Sequence, residues 1–168
     1  MKESIAIIID NSYKEKLMSE GNLHLEQIIK LKSKITIFKD IEDDIIREIV
    51  TDVRFLQLDM HEQIIHLGDE EKDIYILLEG ECRVMIDNNK TVGVLEKNQV
   101  FGEFSPITDT PRSATVKANI PSTVLAFKLD FDLLNNKLNP YGVLYKNFIT
   151  ELIKKLNLIN WEKRKGTL

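Results

Sequence analysis

Between Val100 and Val116 the chain gathers residue types that could hold an anion. Gly102 lets the backbone bend and lets a ligand approach closely. Residues 103–107 have the length of one helical turn, and Pro106 is tolerated within it. The start of such a turn presents free amides and the positive end of a dipole, which suits a phosphate. Arg112 adds a planar fork of donors matched to phosphate oxygens. Glu103, when ionised, only accepts hydrogen bonds, so a sugar hydroxyl is a fitting partner. The same residues also fit a surface loop with a glycine turn and a lone arginine. Chemistry alone leaves these two readings level.

The elements that must position this stretch fall into three zones. Residues 1–50 read as mostly helical. Ser12 with Glu15 fits a capping box, Gly21-Asn22 interrupts, and Leu25, Ile28, Ile29 and Lys32 continue at helical spacing. Asp40 is a candidate cap for a helix in which Ile41, Ile45 and Ile49 share a face, with Ile46 and Val50 beside it. From Val53 to Leu129 the rhythm becomes short apolar runs between turn signals. The expected strands are Val53–Asp59, Gln63–His66, Asp73–Leu78, Glu81–Ile86, Thr91–Leu95, Ser113–Ala118 and Thr123–Leu129. Such spacing suggests a sandwich, barrel or jelly roll. Asp87-Asn88-Asn89-Lys90 reads as a hairpin turn, since Asn tolerates positive φ. After Leu129 the helical period returns. Asp130 is a candidate cap for a short helix to about Leu138, and Asn139-Pro140 marks a new start. Tyr145, Phe148, Ile149, Leu152, Leu156 and Ile159 then form one apolar stripe, widened by Leu144, Ile153, Leu158 and Trp161.

Composition narrows the function classes. The chain has 168 residues, 43% hydrophobic and 30% charged, an ordinary core-forming composition. Its one cysteine, Cys82, excludes an intramolecular disulfide and points to a reducing, cytoplasmic setting. Ile5–Ile9 is far shorter than the ~20 residues of a spanning helix, so no membrane segment is expected. His24, His61 and His66 form no metal-ligand spacing, and no Ser, His and acid set stands out, so neither a metal site nor an enzyme is expected. From residue 146 onward, six basic residues stand against Glu151 and Glu162, giving +4. The total of −4 therefore leaves −8 elsewhere. The basic end reads as a solvated helix terminus, and no DNA binding is expected from this chain alone.

The stretch resembles the phosphate-binding cassette of the cyclic-nucleotide-binding domain family. That pattern is roughly F-G-E-[LIV]-A-L, a short loop, then P-R-[AS]-A-T-V. This chain reads F-G-E-F-S-P, I-T-D-T, then P-R-S-A-T-V. Gly68 and Gly80 stand where the family has glycines, and the resemblance covers about residues 36–160. It is closest to the sensor halves of catabolite-activator-type regulators and of kinase regulatory subunits. The implied fold is α+β, mainly β. It is a double-stranded β-helix jelly roll flanked by N-terminal helices and a long C-terminal helix. The implied division is a helical extension over 1–35, the binding domain over 36–161 and a basic tail over 162–168.

The resemblance also implies roles. Glu103 would accept from the ribose 2′-hydroxyl. Arg112 would pair with the cyclic phosphate beside Gly102, Ala114 and the amides of Phe104 and Ser105, with Ser113 adding its hydroxyl. Val84, Val92 and Gly93 would line the purine pocket, and Asn157, next to Leu158, would close over the base. Three departures stand out: Ser105-Pro106 removes an amide and stiffens the cassette, Phe104 is bulkier than the usual Leu, and Lys97-Asn98 replaces a turn glycine. The expectation is a stand-alone sensor of a 3′,5′-cyclic purine nucleotide, cAMP favoured over cGMP. It would have no other cofactor and would act on an effector protein through helix rearrangement. A homodimer through the last helix fits the same pattern. The alternatives are a ligand-free scaffold or dimerisation module of this fold, and the sensor part of a transcription regulator whose DNA-binding domain lies elsewhere.

Overall fold

Alternation along the strands builds two layers of core. A computed structural model describes residues 24–86, 90–130 and 142–165, with side chains as far as 156 in the last span. In chain order, helix α1 (24–31) leads into 3-10 turns Lys32–Lys34 and Thr36–Phe38, then α2 (Asp43–Ile49). Eight strands follow: β1 (Val50–Leu58), β2 (Gln63–Ile65), β3 (Ile74–Glu79), β4 (Cys82–Ile86), β5 (Lys90–Leu95), β6 (Val100–Phe101), β7 (Thr115–Ala118) and β8 (Ser122–Leu129). Helix α3 (Phe104–Thr108) lies between β6 and β7, and α4 (Gly142–Lys165) is the last element described. One sheet has the order β1-β8-β3-β6 and the other β2-β7-β4-β5, every pair antiparallel.

β3 and β8 are apolar on both faces because they sit between the two core layers. Ile74 and Ile76 of β3, with Leu125 and Phe127 of β8, face the helices and meet Ile28, Phe38, Ile46, Leu144 and Phe148. Tyr75, Leu77, Val124 and Ala126 face the other sheet and meet Ile65, Cys82, Leu95, Phe101 and Val116. A continuous apolar run is what two buried faces require. The expected jelly roll is therefore the observed fold.

Several boundaries differ from expectation. β6 is an added strand: two residues carry no readable period, yet they pair Tyr75 with Phe101 and Ile76 with Val100. β1 begins at Val50, because Asp52 at φ 52° makes a bulge and the ladder resumes at Arg54. The other strands move by a residue or two at their ends. Asp40 does not cap α2. It sits at φ 61° in a preceding turn, Glu42 takes the cap position, and Asp43 and Asp44 supply the first-turn charge. His61 and His66 share no strand, since β2 lies between them.

Along α4, Leu144 and Phe148 are buried, while Ile149, Ile153 and Leu156 are exposed, and the side chains of Leu158, Ile159 and Trp161 lie outside the described residues. The Ser12–Glu15 capping box, Ile5–Ile9, the Gly21-Asn22 break, the 87–89 turn, the Asp130–Leu138 helix and the Asn139-Pro140 start lie outside the described residues. Among the described residues, no helix is long and apolar enough to cross a membrane.

Candidate functional site

The site is built where β3, the β6–α3 junction and the approach to β7 converge. Gly102 turns the chain at φ 77°. A Cβ there would stand 2.9 Å from Tyr75 Cδ2, 3.1 Å from Arg112 Nη1 and 3.1 Å from the Asp73 carbonyl oxygen. Glycine is thus required twice, for its dihedral and for its lack of volume. α3 follows as one short helix ending at Asp109 in the left-handed region. Thr110 N donates to the Ser105 carbonyl at 3.3 Å, and Lys72 Nζ donates to the Thr110 carbonyl at 3.1 Å, which fastens the loop to the β2–β3 connection.

Arg112 is 4% exposed. Its Nη1 donates to the Gly102 carbonyl at 2.6 Å and its Nη2 to the Asp73 carbonyl at 2.8 Å. Its guanidinium carbon lies 5.7 Å from the Tyr75 ring centre. Among the described residues no carboxylate pairs with it. The main chain around it is clamped too: Arg112 N donates to the Asp69 carbonyl, and Gly68 N to the Arg112 carbonyl, both at 2.8 Å. The result is an oriented, buried cation whose charge is neutralised by no carboxylate among the described residues. Such a group is fitted to an anionic ligand.

The neighbouring carboxylates have other partners. Asp73 Oδ2 accepts from Arg54 Nη2 at 2.6 Å, and Lys128 Nζ stands 3.9 Å from its Oδ1. Burial is the largest single influence on Arg54 and pulls its pKa down. The charge and hydrogen bond of Asp73, joined by Asp52, outweigh that and hold it above the ordinary value. Burial, followed by the Asp73 charge, pushes the Tyr75 phenol up to about 12. Tyr75 also stacks on Phe101 at 5.2 Å between ring centres. Glu103, 4% exposed, is bonded by Lys155 of α4, whose Nζ also donates to the Val100 carbonyl at 2.8 Å.

The structure places Arg112 on the Gly102 carbonyl, with Glu103 next along the chain. Val84 and Gly93 are register partners on β4 and β5 with Val92 beside them, and a Cβ on Gly93 would meet nothing within 4 Å. Asn98 takes the turn glycine's role at φ 67°. Ser105 is buried, and its hydroxyl is spent on the Thr110 carbonyl at 2.6 Å. Phe104 and Ser113 are exposed and Ala114 is half-buried. The Asn157 side chain lies outside the described residues. Asp73, Tyr75 and Lys155 are the residues that sequence reasoning missed. One signal was present: Lys155 stands seven residues after Phe148, hence on its face of α4. Cys82 is buried, and burial pushes its thiol up against a hydrogen bond with Ser122. Among the described residues no group of His, Cys, Asp and Glu is arranged to hold a metal ion.

Comparison with known proteins agrees with this geometry. Residues 55–131 match the family model described as "Cyclic nucleotide-binding domain". A cGMP-dependent protein kinase of Eimeria tenella is 36% identical over 93 residues, covering 55% of this chain and 9% of the kinase. The chain therefore spans about a tenth of that relative. A cyclic nucleotide-binding domain from Methylobacillus flagellatus shares the fold with a TM-score of 0.69 at 21% identity, over 88% of this chain and 87% of that one. The cAMP-bound PfPKA-R shares it with a TM-score of 0.60 at 23% identity, over 83% and 48%. With the jelly roll, the glycine-turned cassette and the buried arginine in place, residues 55–131 match the cyclic nucleotide-binding domain family, and the fold is the one its solved members share.

Proposed function

We propose that this chain binds a 3′,5′-cyclic purine nucleotide, cAMP in preference to cGMP, and passes the binding event to an effector protein through α4. The observation that carries the reading is Arg112, a buried guanidinium held by two main-chain carbonyls and paired with no carboxylate among the described residues. The cyclic phosphate would meet Arg112, with the amides at the start of α3 and the Ser113 hydroxyl close by. Glu103 would accept from the ribose hydroxyl, and Val84, Val92 and Gly93 would face the base. Asn157 would approach the base from α4. The exposed Ile149, Ile153 and Leu156 of α4 give the effector an apolar surface. The work is binding, not catalysis, and the setting is the cytoplasm.

Calorimetry with cAMP, cGMP and a cyclic dinucleotide tests this. Binding of a mononucleotide is expected. Arg112→Ala should weaken it by about 30-fold or more, the effect of losing roughly 2 kcal/mol of buried ionic contact. No heat with any ligand at millimolar concentration would sink the reading. One observation favours a second reading, a scaffold that keeps the fold without the ligand: Glu103 is already occupied by Lys155. That reading expects no binding.

A further inference from the structure

The acceptor that a nucleotide's ribose would use is covered by a lysine from the last helix. α4 is anchored to the domain at its first turns. Leu144 and Phe148 sit in the core, and Asn147 Nδ2 donates to the carbonyls of Lys39 at 2.7 Å and Ile37 at 3.2 Å. Beyond Phe148 the helix turns Ile149, Ile153 and Leu156 to solvent, each more than half exposed. Among the described residues, the hydrogen bonds tying this second half to the rest of the chain are those of Lys155, to Val100 and to Glu103. Val100 belongs to β6, the edge strand of its sheet, so one ammonium joins helix, strand edge and cassette. Phe148 and Lys155 lie about 10 Å apart along the helix axis, at 1.5 Å per residue.

We propose that Lys155 is a further residue of the binding site. Its ammonium holds Glu103, so that the ribose hydroxyl and α4 compete for one carboxylate. The proposal rests on the nucleotide reading above. A carboxylate buried to this degree needs a cation or strong donors, and Lys155 supplies the cation. The Glu103 side chain is only 6% exposed beneath that contact, so a hydroxyl reaches it as the ammonium leaves. Release of Lys155 frees the second half of α4 to rearrange, and with it the already exposed Ile149, Ile153 and Leu156. By reciprocity, whatever factor α4 docking removes from nucleotide affinity, nucleotide removes from α4 docking.

The experiment uses the full chain as wild type, Lys155→Met and Lys155→Arg. Hydrogen exchange over the second half of α4 is followed without ligand, and cAMP affinity is measured by calorimetry. In Lys155→Met, exchange should speed up without ligand and cAMP should bind about tenfold tighter, within the usual range of coupling between sites. Lys155→Arg, which keeps the ion pair, should stay near wild type in both. Unchanged exchange in Lys155→Met overturns the proposal. So does unchanged or weaker affinity in a chain whose wild type binds cAMP. Binding by Lys155→Met alone upholds the competition. Binding by neither chain overturns the nucleotide reading and the competition with it.

Discussion

Arg112 and Asp73 meet through the main chain rather than through their charges. Arg112 Nη2 donates to the Asp73 carbonyl at 2.8 Å, while the Asp73 carboxylate receives Arg54 at 2.6 Å. The acid holds the strand end, and the strand end aims the arginine. The two tasks can be separated by mutation. Asp73→Asn keeps the carbonyl but weakens the tie to Arg54. It should lower stability by about 1–2 kcal/mol, the scale of a hydrogen bond to a charged group that is partly exposed. Urea denaturation reads this. Nucleotide affinity, measured alongside, should fall much less than in Arg112→Ala. An equal loss would mean that the carboxylate itself acts on the ligand.

Gly102 permits both the turn and the approach of Tyr75 and Arg112. Gly102→Ala should destabilise the chain by about 1–3 kcal/mol, because a positive φ and a crowded Cβ act together. Thermal unfolding measures this. A melting temperature equal to wild type would contradict the crowding.

Gly93 is the opposite case. A Cβ there meets open space, and its φ lies outside the left-handed region. Gly93→Ala should therefore fold with stability within about 1 kcal/mol of wild type, or slightly higher through a less flexible unfolded chain. It should still weaken nucleotide binding if the purine lies against β5. Denaturation and calorimetry on the same preparation separate the two effects, and undiminished affinity would move the base elsewhere.

Tyr75 gives a pH test. Its phenol is neutral when protonated, and burial lifts its pKa from the ordinary 10 to about 12. A raised pKa in the folded state contributes stability that is whole below pH 10 and is lost as pH climbs toward 12. Tyr75→Phe lacks this dependence. The stability difference between wild type and Tyr75→Phe should shrink across that window. Difference absorbance should show one phenol titrating late.

The cassette was legible in the sequence because its chemistry is contiguous. Gly102, Glu103 and Arg112 lie within eleven residues, and a tight turn brings them together whatever surrounds it. The jelly roll was legible because strand periods and turn residues are local signals. β6 was not, since two residues have no period and become a strand only by pairing with β3. The bulge at Asp52 was hidden for a similar reason: a positive φ at an aspartate is imposed by the neighbouring ladder and by the ion pairs of Arg54 and Lys128.

The sequence by itself determined the scaffold and the residues proposed to meet a cyclic phosphate and a ribose. Only the tertiary structure decided the state of those groups. Arg112 is gripped by the carbonyl of Asp73, 39 residues away, and Glu103 is held by Lys155, 52 residues away. Such partnerships depend on how helix and sheet layers pack. Packing is a property of the whole core, which no local pattern of residues encodes.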